Sequence, residues 1–126
     1  MKFSGIYAIC VGILMLAQWS FFLITGNVPE LQTEPWSIAF HLAAEAFTAI
    51  GLIFSGILVL RQVTLAKETY LVFSGMLIYA MVNSAGYFAQ SGDWVFVVMF
   101  AVLLLLTGYS LFRLVQPASA INRKNR

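Results

Sequence analysis

The chain has 126 residues, of which 61% are hydrophobic and 10% are charged, and its net charge is +2. Because soluble domains carry about 25% charged residues, this composition excludes a water-exposed globule and leaves the lipid bilayer as the expected solvent. The small net charge gives no indication of a nucleic-acid partner.

Four apolar segments follow one another along the chain, at residues 3–25, 37–60, 69–90 and 94–115. Each has about 20 residues or slightly more, the length that crosses a hydrocarbon core about 30 Å thick. Each is predicted to be a helix, because backbone groups in lipid must find their hydrogen bonds within the segment. The expected fold is therefore all-α, an integral membrane four-helix transmembrane bundle formed by residues 1–116. A basic cytoplasmic tail, residues 117–126, follows it.

Lysine and arginine are unevenly distributed over the ends of these segments. All seven belong to the N-terminus, the second connection, the end of the fourth segment or the tail: Lys2, Arg61, Lys67, Arg113, Arg123, Lys124 and Arg126. The first and third connections have none, and contain Glu30, Glu34 and Asp93 instead. Loops on the cytoplasmic side of a membrane are enriched in these cations. The pattern predicts a multi-pass protein of the plasma (inner) membrane with both termini in the cytoplasm.

The three tryptophans support this orientation. Trp19, Trp36 and Trp94 all fall near the predicted outer ends of segments. Tryptophan is enriched where a membrane meets water, so these residues are interpreted as an interfacial belt.

The second segment contains the two most unusual polar residues of the chain. His41 is the only histidine, and Glu45 is the only carboxylate inside an apolar segment. Their spacing of i, i+4 stacks them on one helix face, which Thr48 continues. Counted from a helix start at Ser37, Glu45 lies about 12 Å deep. Because an ionisable group at membrane depth is costly, this pair is the first candidate for a functional site.

Two other segments bring polar side chains to a similar depth. Gln18 of the first segment lies about 10 Å below its outer end. The third segment carries a stripe spaced i, i+4, i+8 and i+11, formed by Tyr79, Asn83, Tyr87 and Gln90. We expect a polar pocket in the outer half of the bundle, with His41 and Glu45 at its base and the other residues orienting a ligand. The inner half is interpreted as almost wholly apolar, apart from small and hydroxyl residues.

Three functions fit such a pocket. The first is binding of a small ligand, an ion or a proton, with transport as an extension. The second is an accessory or scaffolding subunit of a membrane complex, in which the polar side chains only fix helix packing. The third is a redox component that binds a quinone between His41 and Tyr87, or a haem held by His41 of two protomers. The sequence has no catalytic constellation and too few ligands for zinc, so neither an enzyme nor a metal site is expected.

Small residues on the second and third segments favour close helix packing. Among them are Gly51, Gly56, Gly75 and Gly86. Packing within one chain is the simpler interpretation, and a homo-oligomer or a partner in a membrane complex is the alternative.

The stretch Glu45–Gly56, a carboxylate followed by a run rich in glycine and leucine, resembles the DoxX-like group of small four-helix membrane proteins. The resemblance covers this helix and the four-helix topology. It implies a membrane-embedded helical fold and a link to quinone or redox membrane complexes.

Overall fold

A computed structural model describes residues 2–116, and the basic tail predicted at 117–126 lies outside the described residues. The helices are α1 (Lys2–Ile24), α2 (Glu30–Thr33), α3 (Pro35–Leu60), α4 (Ala66–Gln90) and α5 (Trp94–Val115). All except the four-residue α2 are long and apolar enough to cross a membrane. The prediction of an all-α chain with four such helices is confirmed.

Local sequence explains where these helices begin and end. Pro35 occupies the first turn of α3, where its missing N–H has no partner to lose, so α3 begins two residues before the expected start. α4 begins at Ala66, three residues early, because polar residues such as Lys67 extend the helix beyond the apolar run. Gly26 and Gly92, with φ of 71° and 78°, follow the ends of α1 and α4 and allow the chain to turn.

The four long helices alternate in direction along the chain. α1 packs mainly against α3, α3 against α4, and α4 against α5, while a smaller contact between α1 and α5 closes the ring. We call one end of the bundle the acidic end, because its connections contain Glu30, Glu34 and Asp93. The opposite, basic end contains Lys2, Arg61, Lys67 and Arg113.

α1 and α3 approach each other closely at glycines. A Cβ atom at Gly12 would lie 2.6 Å from the carbonyl oxygen of Ala49. A Cβ atom at Gly56 would lie 2.6 Å from the carbonyl oxygen of Gly5. Both contacts are with backbone, which cannot rotate away. The distance between α1 and α3 therefore depends on residues without a side chain, as is common where membrane helices pack.

The hydrophobic core lies in the middle of the bundle and toward its basic end. Its buried members are Ala8, Val11, Leu52, Val59, Ala66, Tyr70, Leu77, Met81 and Leu114. Toward the acidic end, most residues of α4 and α5 are exposed. Among the described residues of that half, the buried polar side chains are Glu45 and Thr48, both on α3.

Candidate functional site

Glu45 is buried on the face of α3 that meets α1, with only 7% of its surface exposed. Its carboxylate has two polar neighbours. The Nε1 of Trp19 donates a hydrogen bond to Oε2 over 3.4 Å. The Nε2 of His41, one helical turn earlier on α3, lies 3.8 Å from Oε1. The three side chains form one contiguous group, because the rings of Trp19 and His41 meet edge to face at 5.7 Å.

No fixed positive charge accompanies this carboxylate. Within residues 2–116, neither a lysine nor an arginine forms a salt bridge with Glu45. His41 can carry a positive charge only when it is protonated, and its side chain is 33% exposed. An ionised carboxylate in an apolar environment is costly unless it is paired. The group can therefore be neutralised by a proton on either residue or by a bound cation.

Trp19 belongs to this group, although its sequence position predicted an interfacial residue. The helical periodicity of α1 indicates instead that Trp19 shares a face with residues of the core. Ala8, Met15 and Trp19 lie within about 40° of one another around the helix, and the first two pack into the core. Trp19 therefore faces α3 rather than lipid, and its N–H reaches the buried carboxylate.

Among the described residues, neither of the other predicted site residues on α1 and α3 forms a hydrogen bond with the carboxylate. Thr48 is buried, and its hydroxyl donates to the carbonyl oxygen of Ala44 on its own helix, over 2.8 Å. Gln18 is half-buried beside Trp19. The structure thus brings His41 and Glu45 together as expected, and adds Trp19.

The expectation that the α4 stripe faces Glu45 is corrected by the structure. Its four members, Tyr79, Asn83, Tyr87 and Gln90, are all exposed. The buried residues of α4 include Tyr70, Ser74, Leu77 and Met81, which pack toward the bundle. Tyr79 and Asn83 lie about 180° away from that face around the helix. Among the side chains of the stripe, that of Tyr87 has a polar partner within residues 2–116: its hydroxyl donates a hydrogen bond of 2.9 Å to Oε1 of Glu30.

A second polar group, which we call the hydroxyl cluster, lies in the basic half of the bundle. It consists of Ser4, Tyr7, Tyr70, Thr107 and Ser110. Ser4 donates to the carbonyl oxygen of Ser110 over 2.9 Å, and the hydroxyls of Tyr70 and Ser110 share a hydrogen bond. The Tyr7 hydroxyl lies 2.7 Å from Oγ1 of Thr107. The cluster therefore joins α1, α4 and α5 through neutral hydrogen bonds.

The hydroxyl cluster was not predicted from the sequence, because its members are far apart in the chain and each is common in packed membrane helices. Among the described residues, every buried side-chain nitrogen or oxygen has a hydrogen-bond partner. The cluster leaves no unpaired group for a ligand, and we interpret it as helix packing.

Replacing Tyr7 by phenylalanine is expected to lower the free energy of unfolding in detergent by about 1 kcal/mol, because hydrogen bonds between membrane helices contribute about that much or less. The variant loses the bonds to Thr107 and to the carbonyl oxygen of Leu103 but keeps the ring. Tyr109→Phe is the matched control, since Tyr109 is about half-exposed at the same end. An equal loss in both variants would contradict a stabilising role of the hydroxyl cluster.

Two cavities lie away from the Glu45 group. One, of about 400 Å³, is at the basic end and is lined by Val59, Gln62, Val63, Thr64, Ala66, Lys67 and Leu114. The other, of about 180 Å³, is an apolar groove between α4 and α5. Neither has His41 or Glu45 in its lining. In the part of the chain that the structure describes, no three His, Cys, Asp or Glu side chains are grouped so that they could hold a metal ion.

Comparison with known proteins identifies one family. A family model described as Domain of unknown function (DUF8058) matches residues 1–126. No curated protein matches the chain, and no solved structure matches it. The geometry of the Glu45 group is therefore the basis on which a function can be proposed.

Proposed function

The chain belongs to the DUF8058 family, a domain of unknown function, and from the geometry of its site we propose that it is a multi-pass membrane protein that binds a proton at the Glu45–His41 pair. In this proposal the pair gains and loses the proton while α1 and α3 remain packed. The observation that carries it is a buried carboxylate whose nearest potential cation is itself a titratable imidazole, 3.8 Å away.

Membrane insertion is the first part of the proposal. It is supported by four helices of sufficient length and apolarity. The proposed orientation places the basic end in the cytoplasm, because lysine and arginine are enriched in cytoplasmic loops. The acidic end would then face outward, and Glu45 would lie in the outer half of the membrane.

The choice of a proton over a larger ligand is the second part. Trp19 covers one carboxylate oxygen and His41 approaches the other, so little of Glu45 remains exposed. A quinone or haem would require these side chains to move apart, whereas a proton requires no space. Histidine is the side chain best suited to exchange a proton between about pH 5 and pH 8. Transport coupled to this proton is the natural extension of the proposal.

The test is infrared difference spectroscopy of the purified protein between about pH 5 and pH 8, a range in which exposed carboxylates stay ionised. We expect a carboxyl band of Glu45 to change as the pH falls and the pair takes up the proton. Glu45→Gln should remove this band completely, and His41→Gln should shift its pH midpoint. Glu68→Gln, a substitution of an exposed carboxylate on α4, is the matched control and should leave the band unchanged.

The fluorescence of Trp19 provides a second measurement of the same transition. In a Trp36→Phe/Trp94→Phe variant Trp19 is the only tryptophan, and its emission should follow the same transition, since its indole contacts both residues. A spectrum without any Glu45-dependent band, together with Trp19 emission that does not change with pH, would overturn the proposal. Stabilisation of the wild type, but not of Glu45→Gln, by sodium or tetramethylammonium at constant pH would assign the site to a cation instead.

An accessory subunit of a membrane complex is the second candidate, and one observation favours it. The buried polar side chains of the described region satisfy one another, as a purely structural network would. In that case Glu45→Gln should change thermal stability without any change in proton binding, and the protein should co-purify with a larger assembly.

A further inference from the structure

α4 carries an exposed polar face that differs from the exposed faces of the other long helices. Gly75, Tyr79, Asn83 and Gly86 lie within about 80° of one another around α4. All four are exposed, and Tyr79 is the most exposed of the large hydrophobic side chains of α4, with 75% of its surface accessible. We call this set the α4 polar face. The exposed large side chains of α1, α3 and α5 are mainly aliphatic or phenylalanine, which suits contact with lipid.

Asn83 makes lipid contact costly at this face. It lies about 10 Å from the end of α4 at Gln90, while half of a hydrocarbon core is about 15 Å thick. Its side chain is too short to reach the headgroups, as lysine and arginine do from comparable depths. Within residues 2–116, the Asn83 amide makes no side-chain hydrogen bond. A group that can neither be hydrated nor paired within its own chain requires a partner from outside.

The two glycines of the α4 polar face show how close that partner can come. A Cβ atom at Gly75 or Gly86 would meet no atom within 4 Å, although both positions were expected to pack inside the bundle. They differ in this respect from Gly12 and Gly56, which another helix of the same chain covers. Exposed glycines at i and i+11 allow a second helix backbone to approach α4 along three turns.

We propose that the α4 polar face is the interface of a homodimer in which α4 of one copy packs against α4 of a second copy. The proposal rests on the membrane insertion proposed above, and not on proton binding at Glu45. The occupant is a second copy because the face is complementary to itself. A two-fold axis brings the same residues together, and the Asn83 amide has both a donor and an acceptor, so two such amides satisfy each other.

Membrane orientation provides further support for this pairing. The strong asymmetry of lysine and arginine predicts one orientation for every copy. The two-fold axis must then be perpendicular to the membrane, which makes the two α4 helices parallel and places both Asn83 residues at the same depth. Tyr79, one turn away, can extend its hydroxyl across the same contact.

Cysteine cross-linking in native membranes tests the geometry. Cys10 is the only cysteine, so Cys10→Ser supplies a background without thiols. In that background Gly86→Cys should form a disulfide-linked dimer on oxidation, because a two-fold contact at glycines brings equivalent Cα atoms close together. Val102→Cys is the control, since Val102 is half-exposed on α5, which the proposed contact does not involve. It should remain monomeric under the same oxidation.

The energetics are tested by the dimer dissociation constant in detergent, measured by energy transfer between labelled copies. Asn83→Leu should raise it by about tenfold, and Asn83→Gln, which keeps an amide, should change it by less than about threefold. Both variants should unfold at the same temperature as the wild-type monomer, because Asn83 is exposed. A chain that is monomeric throughout, a cross-link at Val102→Cys instead of Gly86→Cys, or an unchanged dissociation constant for Asn83→Leu would each overturn the proposal.

These outcomes are separate from those of the proton test. Loss of the dimer in Asn83→Leu leaves the pH-dependent Glu45 band intact, and Glu45→Gln leaves the dimer intact. A failure of one proposal is therefore distinguishable from a failure of the other.

Discussion

Replacing Gly12 by leucine should lower the free energy of unfolding by about 3 kcal/mol or more, the upper range for overpacking a close contact. The first atom that the new side chain meets is the carbonyl oxygen of Ala49, 2.6 Å from the Cβ position. Because this atom belongs to the α3 backbone, no rotamer of leucine relieves the clash, and α1 must move away from α3. The Trp19–Glu45 hydrogen bond depends on the same two helices and should weaken with it.

The measurement is unfolding in detergent followed by circular dichroism, with Gly108→Leu as the matched control. Gly108 lies inside a helix like Gly12, but a Cβ atom there meets nothing within 4 Å. Leucine at this position should change stability by less than about 0.5 kcal/mol or raise it slightly, because it is the better helix former. A similar loss at both positions would mean that the bulk of the added leucine, and not the α1–α3 contact, accounts for the effect.

Tyr70→Ala should have the second largest effect, a loss of about 3 kcal/mol or more. Tyr70 is only 1% exposed, and its hydroxyl bonds to Ser110 of α5. Alanine would remove the ring that fills the space between α4 and its neighbours, and it would also leave Ser110 without this partner. The expected loss of stability has two causes, a cavity and a broken hydrogen bond. It is measured by the same unfolding experiment in detergent.

Tyr70→Phe separates the two contributions. It retains the ring and removes only the hydroxyl, so its expected loss is about 1 kcal/mol. If phenylalanine and alanine were equally destabilising, the hydrogen bond would account for the whole loss and packing of the ring would contribute nothing. If phenylalanine had no effect at all, packing of the side chains, and not hydrogen bonding, would account for the contribution of the hydroxyl cluster to stability.

Much of the fold can be predicted from the sequence because each membrane-length helix is specified locally. An apolar run of about 20 residues must satisfy its own backbone, whatever surrounds it. The end of α5 falls where the sequence predicted it, and the starts of α3 and α4 differ by two or three residues. The His41–Glu45 pair is local in the same sense, since a separation of four residues on one helix is enough to place these side chains together.

The rest of the site depends on contacts between helices that are far apart in the sequence. For these residues the sequence predicted the wrong neighbours. Trp19 has the sequence position of an interfacial residue, yet it bonds to Glu45 because α1 packs against α3 at glycines. Asn83 has the depth of a pocket residue, yet it faces outward because α4 packs through the face that contains Tyr70. Ser4 and Ser110 meet only because α1 touches α5.

Sequence by itself therefore determined the four membrane-length helices and the pairing of His41 with Glu45 on one helix face. Tertiary structure alone decided which helix each polar face meets. The physical reason is that helical periodicity specifies which residues share a face, while the rotation of each helix follows from where backbones can approach and where bulky side chains must be accommodated. At Glu45 that rotation supplies Trp19 as a partner, and at Asn83 it leaves the amide on the outside of the bundle.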